Sequence, residues 1–296
     1  MRVAVCSIAG EARVCLVSED GRSVAPFELP VAEAEKGVVA LIGREGGLPS
    51  TLSEIPIDRV TLLAPVPAPR RNIFCVGKNY HEHAHEFASS GFDSSAASGA
   101  VPKNPIIFSK VPESVVGPDV DVEIDPAVSA AIDYEAELAV IIGKGGRGIS
   151  RAEAMDHVWG YTIVNDVTAR DLQGRYSQWL IGKSQDTFCP MGPFAVTADE
   201  IDVADTAVSC YVNGELRQNA NTRDLIFDIP VIIETISAGL TLHPGDVIAT
   251  GTPAGVGIGF DPPKYLGDGD VVRVEIAGIG ALSNRFVERR AGEGRA

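Results

Sequence analysis

Asp133-Tyr134-Glu135-Ala136-Glu137-Leu138-Ala139-Val140-Ile141-Ile142 sets two glutamates at the mouth of an unbroken apolar run. Such a run predicts a strand buried on both faces, because a half-solvated strand would alternate apolar with polar side chains. Residues two apart on a strand share a face, so Glu135 and Glu137 converge at its end. Two like charges against an apolar strand need a cation; the plainer alternative is a solvated strand edge. A second run, Tyr161-Thr162-Ile163-Val164-Asn165, leads into Asp166 at the corresponding strand end. Three convergent carboxylates with positions left open suit Mg²⁺ or Mn²⁺, which prefer oxygen ligands and retain water. Zinc matches less well, since Cys or His would be expected among its ligands.

Strand-like runs recur on either side of these two, at 105–108, 207–212, 246–250 and 271–276. Helical patterns are fewer, chiefly 151–158, 168–173 and 222–238. Too many strands lack an intervening helix for a regular βαβ repeat, so the expectation is an α+β, β-rich fold. Residues 2–30 read as a small β-meander followed by a helical stretch near 31–45. The segment Ala64-Pro65-Val66-Pro67-Ala68-Pro69-Arg70 cannot sustain a helix or a central strand and reads as a linker. The expected organisation is therefore a small N-terminal accessory domain over 1–68, a catalytic domain over 69–290 and a flexible tail over 291–296. Residues 88–104, rich in Ser, Ala and Gly, read either as a lid-like surface loop or as an insertion with no role.

Composition removes several function classes. Lys and Arg number 25 against 40 Asp and Glu, and a net charge of -15 repels nucleic acid and anionic membrane surfaces. No apolar run reaches the ~18 residues of a membrane span. The start lacks the apolar core of a signal peptide. Five scattered cysteines without C-x-x-C spacing give neither a disulfide framework nor a zinc ribbon. A cytoplasmic location is the expectation.

Gly143-Lys144-Gly145-Gly146-Arg147-Gly148 satisfies G-x-G-x-x-G, follows an expected strand and precedes an expected helix at Ser150-Arg151-Ala152-Glu153. A dinucleotide site is nonetheless disfavoured, because the motif lies mid-chain and the alternating strands and helices of that fold are missing. A Gly-rich turn joining strand to helix is the better account.

Taken together, Asp133 to Leu138, Asn165-Asp166-Val167-Thr168-Ala169-Arg170-Asp171-Leu172-Gln173, Gly182-Lys183-Ser184, Gly77-Lys78-Asn79-Tyr80 with His83 and Glu86, and Thr250-Gly251-Thr252-Pro253-Ala254-Gly255-Val256-Gly257 resemble the fumarylacetoacetate hydrolase superfamily across about residues 72–286. The resemblance implies a rolled mixed β-sheet of the family's C-terminal domain type, a homodimer, and Mg²⁺ or Mn²⁺ on Glu135, Glu137 and Asp166. It implies chemistry on small 2-oxo or 2,4-diketo acids through a metal-stabilised enolate: hydrolysis of a carbon-carbon bond in an acylpyruvate, decarboxylation of oxaloacetate, or isomerisation and decarboxylation of 2-hydroxyhepta-2,4-diene-1,7-dioate. Hydrolysis of an acylpyruvate is the leading expectation, with the other two as the alternative.

Lys183 resembles the family's active-site lysine and would add positive charge beside the oxyanion, unless it is a surface lysine in a turn. Gln173 and Thr252 look like substrate-orienting hydrogen-bonders, or else cap local backbone. His83 and Glu86, three apart on a helical turn, resemble the family's His-Glu dyad, in which the carboxylate orients the imidazole to take a proton from water. Without the resemblance, His81, His83 and His85 read as a solvated helix start, or as ligands of a transition metal.

Overall fold

The computed structural model describes residues 1–89 and 101–289. Most of the expected loop over 88–104 and all of the tail over 291–296 lie outside the described residues.

Among the described residues a twelve-stranded sheet dominates. Its central path runs Arg2–Ile8, Cys189–Thr197, Val158–Asn165, Ala136–Ile142, Val247–Ala249, Ile73–Gly77 and Ile106–Lys110. Neighbours along it are antiparallel except Val247–Ala249 with Ile73–Gly77, which makes the sheet mixed. A five-stranded sheet built from Val122–Ile124, Ala207–Val212, Glu215–Asn221, Val271–Ile276 and Gly280–Glu288 completes the β-rich architecture.

The strand Ala136–Ile142 is buried along its whole length, and its residues divide by parity between two cores. Ala136, Leu138, Val140 and Ile142 join a cluster with Val208, Val274, Leu282 and Phe286 of the five-stranded sheet. Ala139 and Ile141 join a different cluster with Val3, Val5, Val14 and Met191. Each fully buried aliphatic side chain contributes about 1.5–3 kcal/mol relative to exposure. Apolar character on both faces is therefore what keeps this strand central, and Glu135 and Glu137 share the parity of Ala139 and Ile141.

The N-terminal strands are hydrogen-bonded into the same sheet, through Arg2 opposite Val196 and Val3 opposite Ala195. Arg2–Ile8 divides by parity as well: Val3 and Val5 face the shared core, while Ala4 and Cys6 pack with Cys15, Val17 and Val24 in a local cluster. The Pro-rich segment connects Thr61–Leu63 to Ile73–Gly77.

Helices are short. Ile229–Ser237 begins where the Asp228 side chain caps Val231 N and Pro230 occupies the first turn, and it buries Ile229, Ile232, Ile233 and Ile236. The helix expected over 222–238 is thus delayed to Ile229 by its cap, with a 3₁₀ turn at Thr222–Asp224 before it. The helix expected over 151–158 is only a 3₁₀ turn, Ala154–His157. Its room is limited because the Gly-rich segment must return the chain from Ala136–Ile142 to the adjacent antiparallel strand Val158–Asn165. Gly143 and Lys144 donate their amides to His157 O, and Gly146 pairs with Leu242. These backbone groups serve a turn, and no α-helix follows to hold a phosphate. Among the described residues no helix is long and apolar enough to cross a membrane.

Candidate metal centre and active site

Antiparallel pairing creates the carboxylate cluster. Ala136 lies opposite Asn165, so the residue before one strand and the residue after its partner meet at the same sheet end. Asp166 N donates to Glu135 O (2.8 Å), and Glu135 N donates to Asn165 Oδ1 (3.0 Å). Glu135, Glu137 and Asp166 are all buried, with one carboxylate oxygen from each within 4.8 Å of the others. A solvated strand edge is therefore not the arrangement adopted.

Three buried cations surround them. Lys183 Nζ bridges Glu135 Oε2 (2.8 Å) and Asp166 Oδ2 (2.7 Å). Lys110 Nζ donates to Asp166 Oδ1 (2.6 Å), to Val167 O (2.9 Å) and to Lys183 O. Arg170 binds Glu135 Oε1 through Nη1 (2.7 Å) and Asp133 Oδ2 through Nε (2.8 Å). Burial works against the charge of Glu135, but Lys183 and Arg170 outweigh it and hold the carboxyl well below the usual range. Burial also opposes the charge of Lys183, which Asp166 and Glu135 nevertheless keep protonated, with its pKa raised.

Glu137 differs. It accepts Gly251 N (2.8 Å) and, among the described residues, pairs with no cation. Burial, reinforced by the charges of Asp166 and Glu135, pushes its pKa well above the carboxylate range. Asp133, Glu135 and Asp166 each pair directly with Lys110, Arg170 or Lys183, so among the described residues Glu137 is the carboxylate of this group left without a paired cation. A divalent cation would stabilise the ionised form of Glu137, and Glu135, Glu137 and Asp166 make an all-oxygen donor set, so these residues fit Mg²⁺ or Mn²⁺.

Glu135 and Glu137 floor a narrow cleft that Lys78, His83, Gln173 and Thr252 also line. Trp179 closes one wall, packed edge-on against Phe108 (5.2 Å) and Phe87 (6.1 Å). Lys183 Nζ stands 4.9 Å from the Phe108 centroid, and Arg170 Cζ 5.8 Å from that of Phe87, so aromatic faces help hold the cations in this apolar setting. Among the described residues Arg170 Nη2 is buried without a hydrogen-bond partner. Gln173 Oε1 accepts from Arg170 Nη1 (3.1 Å), and Thr252 Oγ1 accepts from Gln218 Nε2 (2.8 Å).

His83 lies on the helix His81–Ser89 and faces inward, while His81 and His85 are exposed on the outer side. The three histidines therefore do not gather around one ion. His83 Nδ1 lies 3.1 Å from Glu86 Oε2, and the other Glu86 oxygen accepts Gly255 N (3.0 Å). A Cβ on Gly259 would lie 1.9 Å from Glu86 Oε1, so a larger residue there would displace this carboxylate from its present place.

Glu135, Glu137, Asp166, Lys183, Gln173, Thr252, His83 and Glu86 thus lie in one cleft or at its immediate border, while His81 and His85 do not. Lys110 and the partner-making roles of Arg170 and Asp133 were not singled out. Lys110 ends the strand Ile106–Lys110, and the local signal was a lone cation closing an apolar run. Asp133 continues the period-two series of Glu135 and Glu137, which was the available hint that it shares their face.

Comparison with known proteins adds an independent line. The model of the fumarylacetoacetate (FAA) hydrolase C-terminal family matches residues 72–287. Oxaloacetate tautomerase YisK of Bacillus subtilis (strain 168) is 50% identical over 231 residues, which is 78% of this chain and 74% of that protein. The solved fumarylacetoacetate hydrolase from psychrophilic Exiguobacterium antarcticum superposes with a TM-score of 0.83 at 41% identity, covering 98% of this chain and 100% of that one. The 5-carboxymethyl-2-hydroxymuconate delta-isomerase from Mycobacterium smegmatis superposes with a TM-score of 0.78 at 33% identity, covering 98% and 100%. Fold, site geometry and similarity agree, and the chain belongs to the fumarylacetoacetate hydrolase family.

Proposed function

We propose that this protein is a divalent-metal-dependent enzyme that interconverts the keto and enol forms of a small 2-oxo diacid of the oxaloacetate type. The observation that carries this reading is that one narrow cleft is lined both by Glu135 and Glu137 of the buried three-carboxylate site and by Arg170, whose Nη2 has no hydrogen-bond partner among the described residues. Such a site has a place for each end of a short diacid: the cation site for the 2-oxo acid end, the guanidinium for the distal carboxylate.

Mg²⁺ or Mn²⁺ held by Glu135, Glu137 and Asp166 would supply Lewis-acid polarisation of the 2-oxo group and draw off enolate charge. Lys183 sets a second positive charge beside that oxygen. Arg170 fixes the distal carboxylate, and Gln173 and Thr252 orient the substrate between the two ends. His83, held through Nδ1 by Glu86, carries the proton between carbon 3 and the 2-oxygen. Phe87, Phe108 and Trp179 exclude bulk water, which strengthens each of these charges. The names of the relatives support this choice, one being an oxaloacetate tautomerase and another a 5-carboxymethyl-2-hydroxymuconate delta-isomerase.

Hydrolysis of a 2,4-diketo acid is the second reading, favoured by the His83–Glu86 dyad, whose geometry equally suits activating a water. One experiment separates the two. The purified Mg²⁺-loaded enzyme is mixed with enol oxaloacetate and, separately, with acetylpyruvate in ¹⁸O-labelled water. Against an enzyme-free Mg²⁺ control, the tautomerase reading expects faster loss of enol absorbance, no additional carbon dioxide and no additional labelled acetate. Additional labelled acetate with no acceleration of ketonisation would establish the hydrolase instead, and additional carbon dioxide from oxaloacetate would establish the decarboxylase.

A further inference from the structure

Asp133 is the third acid of the period-two series, yet it takes no part in the cation site. Both of its oxygens are saturated: Oδ1 accepts Tyr134 N (2.9 Å) and Gly257 N (2.7 Å), and Oδ2 accepts Ile258 N (3.0 Å) and Arg170 Nε (2.8 Å). The neighbouring Tyr134 Oη donates to Gly255 O (2.8 Å), so two consecutive residues grip the same loop. That loop in turn holds the dyad, because Gly255 N donates to Glu86 Oε1 and Gly259 packs directly against the Glu86 carboxylate. Only glycine fits at 257, where a Cβ would meet Asp133 Oδ1 at 2.8 Å and Lys264 O at 2.2 Å.

We propose that Asp133 is a positioning residue that couples the anion-facing Arg170 to the His83–Glu86 dyad through the loop Gly255–Gly259. The physical basis is one rigid carboxylate shared by two modules. On one side it fixes Arg170 Nε, which leaves Nη1 on Glu135 and Nη2 without a hydrogen-bond partner among the described residues, on a side chain that lines the cleft. On the other it fixes the Gly257 and Ile258 amides, which set the height of the Gly255 amide under Glu86. A displacement of the guanidinium is therefore transmitted to the carboxylate that orients His83, with no side chain in between except Asp133. Buried charge-assisted hydrogen bonds of this kind are stiff and costly to break singly, so the two modules move together.

The inference rests on the tautomerase reading for its kinetic arm but not for its structural arm. Full-length, Mg²⁺-loaded wild type, Asp133→Asn, Glu86→Gln and the double variant are compared, together with Arg170→Lys in case Asp133→Asn does not fold. Hydrogen exchange at residues 255–258 is expected to accelerate at least about tenfold in Asp133→Asn and measurably in Arg170→Lys, with exchange in Ala136–Ile142 unchanged. Asp133→Asn is expected to lower kcat for oxaloacetate ketonisation by about a hundredfold with Mg²⁺ affinity within a few-fold of wild type, as befits a group acting on the dyad. The double variant should lose little more than the worse single variant, because both remove the same support. Unchanged exchange at 255–258, losses that multiply in the double variant, or loss of Mg²⁺ binding in parallel with turnover would each overturn the proposal. If wild type does not ketonise oxaloacetate, the functional reading fails on its own, and the exchange results still decide the role of Asp133.

Discussion

Lys110 Nζ lies 2.6 Å from Asp166 Oδ1, with both side chains fully buried. Lys110 also donates to Val167 O and to Lys183 O, so one ammonium orients the Asp166 carboxylate and the backbone of a second cleft residue. Replacing one partner of a buried pair leaves the other charge uncompensated, which costs about 3–5 kcal/mol. Lys110→Met is expected to lower stability toward the bottom of that range, because Lys183 still pairs with Asp166. Urea unfolding of the metal-free protein measures the loss, and added Mg²⁺ should recover part of it by mass action.

Glu137 gives a prediction with a definite sign in pH. Its pKa in the folded protein is raised, first by burial and then by Asp166 and Glu135. The stability it contributes is therefore present below the ordinary carboxylate range and is lost as pH rises through the elevated folded value. Metal-free protein should weaken over that window, and Glu137→Gln should weaken less. Mg²⁺ must displace the Glu137 proton, so binding should release a proton and tighten with rising pH. Calorimetric titrations in buffers of different ionisation enthalpy read the proton directly; equal heats would contradict the assignment. Glu137→Gln should abolish Mg²⁺ binding and turnover together.

His83→Ala tests the proton carrier. The side chain touches none of the three carboxylates by hydrogen bond, so Mg²⁺ affinity should stay within a few-fold of wild type. Turnover should fall by about 10²–10⁴, the usual contribution of a positioned acid or base. Full activity in this variant would remove His83 from the reaction.

Trp179 bounds the cleft by lying edge-on to Phe108 and Phe87, and a Cβ on Gly77 would meet its ring at 2.7 Å. Trp179→Ala should lose about 3–5 kcal/mol of stability through the cavity it opens. It should also raise kcat/KM for a 2,4-diketo acid with a bulky acyl group, relative to oxaloacetate, by about tenfold or more. A purely structural role would lower both substrates alike, so the ratio is the informative quantity.

Local pattern in the chain sufficed for the central strand and the ends of the cation site. Apolar character on both faces required burial of Ala136–Ile142, period two put Glu135 and Glu137 on one side, and a second strand ending at Asp166 supplied the third oxygen donor. The His83–Glu86 spacing was equally local, since one helical turn brings them together. These features depend on residues a few positions apart, where backbone geometry alone dictates which side chains are neighbours.

Tertiary structure decided the rest. Lys110 is 56 residues from Asp166, Lys183 is 48 from Glu135, and Gly257 is 124 from Asp133, and no periodicity connects such pairs. The same holds for the failed helix over 151–158, whose pattern was overridden because antiparallel pairing of its flanking strands left room only for a turn. Which buried carboxylate pairs with a cation and which does not is set by the three-dimensional neighbours of each oxygen, because Coulomb energy depends on distance in space and on burial rather than on separation along the chain.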